Sequence, residues 1–227
     1  MLEKIQLKIV LIAVFTLVFM LIVWWRDVSR EAESGQHNKD TYQGIQIGII
    51  IIITSEVLFF FGFFWSYFWY TLQLQIRVGL IWPPTDIITF NPYGVPLLNS
   101  LVLLSSGATV TWAHHIINSN HKETLKALST TIYLGAIFSV LQVYEYKNRF
   151  FSISDASYGS IFFIITGFHG LHVFAGTIIL AVSIKRILKG ALSKRRHNNL
   201  LVAIWYWHFV DVVWLILYIF VYWWTTL

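Results

Sequence analysis

Six stretches of the chain stay apolar for longer than a soluble helix needs, and polar segments separate them. They lie at about residues 9–25, 45–72, 95–117, 125–146, 158–184 and 200–224. Crossing a bilayer takes about 20 apolar residues at about 1.5 Å each, so the pattern predicts six membrane spans. The first is apolar but for Thr16 and ends in Trp24-Trp25 with no small-residue cleavage site, so it reads as a span and not as a secretory leader. A polar loop is expected over residues 26–44. Between the second and third spans, Pro83, Pro84 and Pro92 remove backbone donors and clash inside a helix, which predicts an ordered surface loop. The third span carries Ser105, Ser106, Gly107, Ala108 and Thr109, small and hydroxyl residues that let helices approach closely in lipid. The predicted fold is all-α, a polytopic transmembrane helical bundle of six spans forming a single domain over residues 1–227.

Composition agrees with that pattern. Hydrophobic residues make up 57% and charged residues 12%, against about half and about a quarter in an average soluble chain. Eleven tryptophans, mostly at the ends of apolar runs, read as an interfacial aromatic belt. With no cysteine there are no disulfides, thiolate metal sites or iron–sulfur clusters, and nothing points to nucleic acid. An even number of spans places both ends on one face. That face and its loops carry five basic residues (Lys4, Lys8, Arg77, Lys147, Arg149). The opposite loops carry ten, including Arg26, Arg30, Lys185, Arg186, Lys189 and the run Lys194-Arg195-Arg196. The positive-inside rule puts the richer face in the cytoplasm or mitochondrial matrix.

Three polar constellations interrupt the spans. Glu56 stands in the middle of the second, where an ionisable side chain costs on the order of 3 kcal/mol and therefore faces protein or water. Its own helical face offers only Ile49, Ile52, Ile53, Phe59, Phe60 and Phe63, so a polar partner must come from another helix, a water or a lipid. His169 and His172 share a face of the fifth span, open to haem ligation or to polar packing between helices or to lipid, with Gly167 and Gly170 thinning the helix beside them. His208 and Asp211 repeat the spacing on the last span. A di-metal bundle needs such a pair twice with two more glutamates, so an orienting hydrogen bond between the two is preferred.

Five stretches carry a family resemblance: WWRDVSRE from Trp24, SEVLFFFGFFWSYF around Glu56, WPPT with NPYGVPLLNS from Trp82, TGFHGLHVFAGT, and WYWHFVDVVWLILYIFVYWW. In order and spacing they resemble the third subunit of haem–copper cytochrome c oxidase. The resemblance implies a non-redox core subunit, with no catalytic residue, haem or metal of its own. Haem a, haem a3 and copper are expected in partner subunits, above all the catalytic subunit I it flanks. The family packs two helices apart from five others around a cleft holding ordered phospholipid, thought to guide oxygen and to sustain proton uptake. On that resemblance Glu56 is the in-membrane glutamate beside the cleft and His172 a lipid-contacting histidine. Trp24, Trp25, Glu31, His37, Arg186 and Lys189 fall where the family meets lipid head groups such as cardiolipin, phosphatidylethanolamine or phosphatidylglycerol.

One departure matters to these expectations. The family's Trp-Trp-Arg-Asp motif closes its second span, and here it closes the first. The family's first helix is therefore expected to be absent, and a helix from another chain is expected to replace it against Ala13, Thr16 and Met20. Localisation is expected in the mitochondrial inner membrane with both termini on the intermembrane-space side. The equivalent subunit of a bacterial haem–copper quinol oxidase is the alternative, with WPPT and WWRDV favouring the cytochrome c branch. A di-haem membrane cytochrome or a proton-coupled transporter built on Glu56 and the histidines is a third reading.

Overall fold

The computed structural model describes residues 2–73, 82–85, 87–117, 119–190 and 198–226. Six helices carry the chain: α1 (Leu2–Glu33), α2 (Lys39–Leu72), α3 (Val95–Ile116), α4 (His121–Lys147), α5 (Ala156–Leu188) and α6 (Asn198–Leu217). A π-helical turn, Tyr218–Trp223, and a 3-10 turn, Trp224–Thr226, continue α6. All six helices are long and apolar enough to cross a membrane. The chain divides into two compact units, residues 1–46 and 47–227, with the boundary inside α2.

In the first unit the expected loop over residues 26–44 is mostly helix. Arg, Glu and Ala in RDVSREAE are good helix formers, and a span can continue past the hydrocarbon wherever its polar residues reach head groups. The stop is local. Gly35 takes φ +77°, its N–H donates to the Ala32 carbonyl at 3.3 Å, and the Gln36 N–H donates to the Glu31 carbonyl at 3.2 Å. These two bonds satisfy the last carbonyls of α1 at a left-handed position that glycine adopts without strain. Asn38 then starts α2 by accepting from the Thr41 N–H at 2.8 Å.

In the second unit α3, α4, α5 and α6 close a four-helix ring, each packed against its neighbours in chain order, with α3 against α6. The ring is held by large side chains seated on small ones. The indole of Trp207 is fully buried and lies over Gly135 of α4 and Gly176 of α5, where a Cβ would come within 2.7 Å and 2.8 Å of it. Its Nε1 donates to Ser106 Oγ on α3 at 2.9 Å, and the Nε1 of Trp214 donates to Ser100 Oγ at 3.0 Å. Thr109 and Thr131 join α3 to α4 through hydroxyls 2.7 Å apart. The small and hydroxyl positions of the third span thus meet other helices, as their chemistry predicts. Residues 47–72 of α2 lean on this ring through aromatic side chains. Phe60 meets Phe209, Phe68 meets Phe220, and the Tyr67 hydroxyl donates to the Phe220 carbonyl at 2.7 Å.

Candidate functional site

Glu56 finds its partner on α5. The carboxylate Oε2 stands 2.9 Å from Nε2 of His172, the only polar group that α5 turns toward it among the described bonds. The other ring nitrogen, Nδ1, lies 2.7 Å from the Phe168 carbonyl. A carbonyl only accepts, so Nδ1 carries a hydrogen. One further proton then lies between Nε2 and the carboxylate. Held by the carboxyl it gives a neutral acid bonded to a neutral imidazole, and held by the ring it gives an ion pair. Both arrangements have zero net charge, which is how a glutamate and a histidine can share a hydrophobic layer. Aromatic rings collar the pair: Phe59 and Phe60 from α2, Phe168 from α5, and Tyr206 and Phe209 from α6. An open pocket of about 420 Å³ lined by Ser55, Glu56, Phe59, Phe168 and His172 leads to it.

His169 and His172 do not converge on a shared ligand. His169 is buried between Phe138 of α4 and Trp214 of α6, ring centroids 5.6 Å and 5.2 Å away, while His172 reaches toward α2. Gly167 and Gly170 face open space, since a Cβ at either would meet nothing within 4 Å. That leaves α5 thin on the side of the pocket, where an acyl chain can lie close. On α6, His208 Nδ1 and Asp211 Oδ2 are 3.7 Å apart, an ion-pair distance in place of the expected hydrogen bond. No group of three or more His, Asp or Glu comes together as a metal site among the described residues.

The remaining expected positions lie at helix ends. Trp24 and Trp25 are exposed, their rings 5.9 Å apart, and Glu31 Oε2 stands 3.8 Å from His37 Nε2 in the same unit. The His37 ring meets Tyr42 edge-on at 5.4 Å. In the second unit Arg186 is buried in the last turn of α5, and Lys189, which caps that helix, is exposed. Arg77 and the run Lys194-Arg195-Arg196 lie outside the described residues.

A second acid site has no counterpart in the sequence reading. Glu145 near the end of α4 is buried, and its Oε1 accepts from the Tyr222 hydroxyl at 2.6 Å. Gln142 extends the network to Glu145, Tyr222 and Asn99 through contacts of 3.4 Å. The signal was present as Gln142 and Glu145 three apart on one helical face, although their partners come from distant sequence.

The family model for cytochrome c oxidase subunit III matches residues 1–226. The chain belongs to that family. Among curated subunit III proteins, the cytochrome c oxidase subunit 3 of Pisaster ochraceus is 51% identical over 210 residues, 92% of this chain and 81% of the relative. That of Drosophila melanogaster is 52% identical over 203 residues, 88% and 78% of the two chains. The ostrich protein, Struthio camelus, is 47% identical over 221 residues, covering 96% and 85%. Identity at this level over most of each subunit III chain supports carrying the Glu56 and His172 resemblance onto these residues, where the two side chains are in bonding contact.

Proposed function

We propose that this chain works as the non-redox third core subunit of mitochondrial cytochrome c oxidase, beside a catalytic subunit that carries haem a, haem a3 and copper. Its task in this reading is to support assembly and to sustain proton uptake and oxygen access through a phospholipid-lined surface. The observation that carries it is the Glu56–His172 pair at the floor of an open pocket among Phe59 and Phe168. A paired, net-neutral acid with an apolar collar can lie against acyl chains without an uncompensated charge in hydrocarbon. Head groups would be held at the helix ends by Trp24, Trp25, Glu31 and His37, and by Arg186 and Lys189, where tryptophan amphipathicity and basic charge favour the interface. Cardiolipin, phosphatidylethanolamine and phosphatidylglycerol all present the phosphate such groups bind. The chain would sit in the mitochondrial inner membrane with the α1–α2 connection and the end of α5 in the matrix. Residues at both ends would then face the intermembrane space.

Affinity purification from native membranes tests the assignment. Haem a and copper should co-purify with the chain, and Glu56→Gln should still assemble while turnover decays sooner during sustained catalysis. Failure to recover haem-bearing subunits would refute the oxidase reading.

A further inference from the structure

A second groove lies between α3 and α6, away from Glu56. Leu104, Gly107, Ala108 and Thr111 form one wall at intervals of one helical face, and His208, Asp211, Val212 and Leu215 form the other at the same intervals. Its volume is about 450 Å³. Gly107 is needed there, because a Cβ would overlap Asp211 Oδ2. Gly107 and Thr111 also stand four apart, the small-residue spacing that admits a neighbouring helix in lipid.

The floor of the groove lacks a hydrogen-bond donor. The Thr111 hydroxyl donates to the Gly107 carbonyl at 2.9 Å, so it can only accept from His208 Nε2 at 3.2 Å. The neutral ring then turns its Nδ1 lone pair toward Asp211 Oδ2 at 3.7 Å, acceptor against acceptor. Asp211 Oδ1 has no partner at all, in a residue that is only 6% exposed. Protonating His208 would join Nδ1 to Oδ2 and still leave Oδ1 unbonded.

Depth selects the kind of partner. Within the span Leu200–Thr226, Asp211 lies about 16 Å from one end and about 22 Å from the other at 1.5 Å per residue. Lipid head groups stay outside a hydrocarbon core about 30 Å thick and do not reach that level. A side chain on a neighbouring helix does.

We propose that the α3–α6 groove docks a transmembrane helix of another oxidase subunit, which presents a side-chain hydrogen-bond donor to the Asp211 carboxylate and His208 at mid-membrane depth. This rests on the oxidase reading above. The partner is a helix with a hydroxyl, amide or basic side chain near its centre and small residues flanking it.

A photoreactive residue at Leu215, on the rim of the groove, tests this in the assembled oxidase. Irradiation should attach a single partner subunit, at a position within one helical turn of a donor residue in its transmembrane segment. Attachment to phospholipid alone, or to a second copy of this chain, would overturn the proposal. As an independent measure, Asp211→Leu removes the carboxylate while keeping an apolar volume in its place. The variant should be lost from the oxidase about tenfold faster on detergent washing, the ratio expected of one interhelical hydrogen bond. Unchanged retention would likewise overturn it. Recovery of the chain without any haem-bearing subunit would instead refute the oxidase reading, and the docking proposal with it.

Discussion

Replacing Gly176 by alanine should loosen the four-helix ring, whereas the same change at Gly170, two turns earlier on α5, should not. The new Cβ at residue 176 would stand 2.8 Å and 3.0 Å from Cε3 and Cζ3 of Trp207. Carbon atoms pack best at about 3.5–4.0 Å, so the indole would have to retreat by about 0.7 Å. It has nowhere to go. The far edge of the ring already fills the slot over Gly135, and its Nε1 is tied to Ser106 at 2.9 Å. Overpacking of this kind costs about 1–3 kcal/mol, and straining the Ser106 bond adds about 1 kcal/mol. At Gly170 a Cβ meets nothing within 4 Å, so only helix propensity changes, worth at most about 1 kcal/mol in favour of alanine. The two variants should therefore differ by about 2–4 kcal/mol and lie on opposite sides of the wild type. Helicity followed during denaturant titration in mixed micelles measures the difference. Equal unfolding free energies for the two variants would refute the account of Trp207 as the wedge that sets the ring.

Tyr222→Phe should destabilise the ring by about 1.5–3 kcal/mol, because the buried Glu145 loses a 2.6 Å hydrogen bond; a double-mutant cycle with Glu145→Gln should show the coupling. His172→Phe should be tolerated less well than Glu56→Gln, since it leaves a carboxyl without its partner while the amide can still bond the ring; steady-state levels of the two variants in membranes check this. A tag after Thr226 should be cut by external protease in intact mitoplasts, and a tag in the α1–α2 connection should be protected; the reverse pattern would invert the proposed orientation.

The helices were legible because length and hydropathy decide them locally, and all six spans appear where the apolar runs lie. Their ends were less so. Residues 26–33 are polar, and polarity reads as loop, yet RDVSREAE has the propensity to extend α1 until Gly35 stops it. The need for a partner at Glu56 was also legible, because no residue on its own helical face could bond it. That the partner is His172, 116 residues away, is settled by how α2 and α5 face one another. Gly135 and Gly176 carried no local mark separating them from Gly167 and Gly170. What distinguishes them is Trp207, which comes from α6. For the same reason Gln142 and Glu145 looked like an ordinary helix end until Asn99 and Tyr222 met them.

Three acids within the spans are handled in three different ways, and the difference separates support from interface. Glu145 is enclosed, with Tyr222 and Gln142 of this same chain on Oε1, so its network serves the ring itself. Glu56 is bonded to His172 but lies in a pocket open to the surroundings, so the chain supplies the proton partner and leaves the apolar contact to lipid. Asp211 has neither arrangement: one oxygen faces a histidine beyond hydrogen-bond reach, and the other faces nothing in the chain. Burying a carboxylate without a donor is costly, and a membrane interior has no bulk water to offset it. An isolated chain would gain from an apolar residue there. A chain that works only inside a larger assembly would not, because the missing donor can arrive with a neighbouring subunit, and the acceptor then marks where that neighbour belongs.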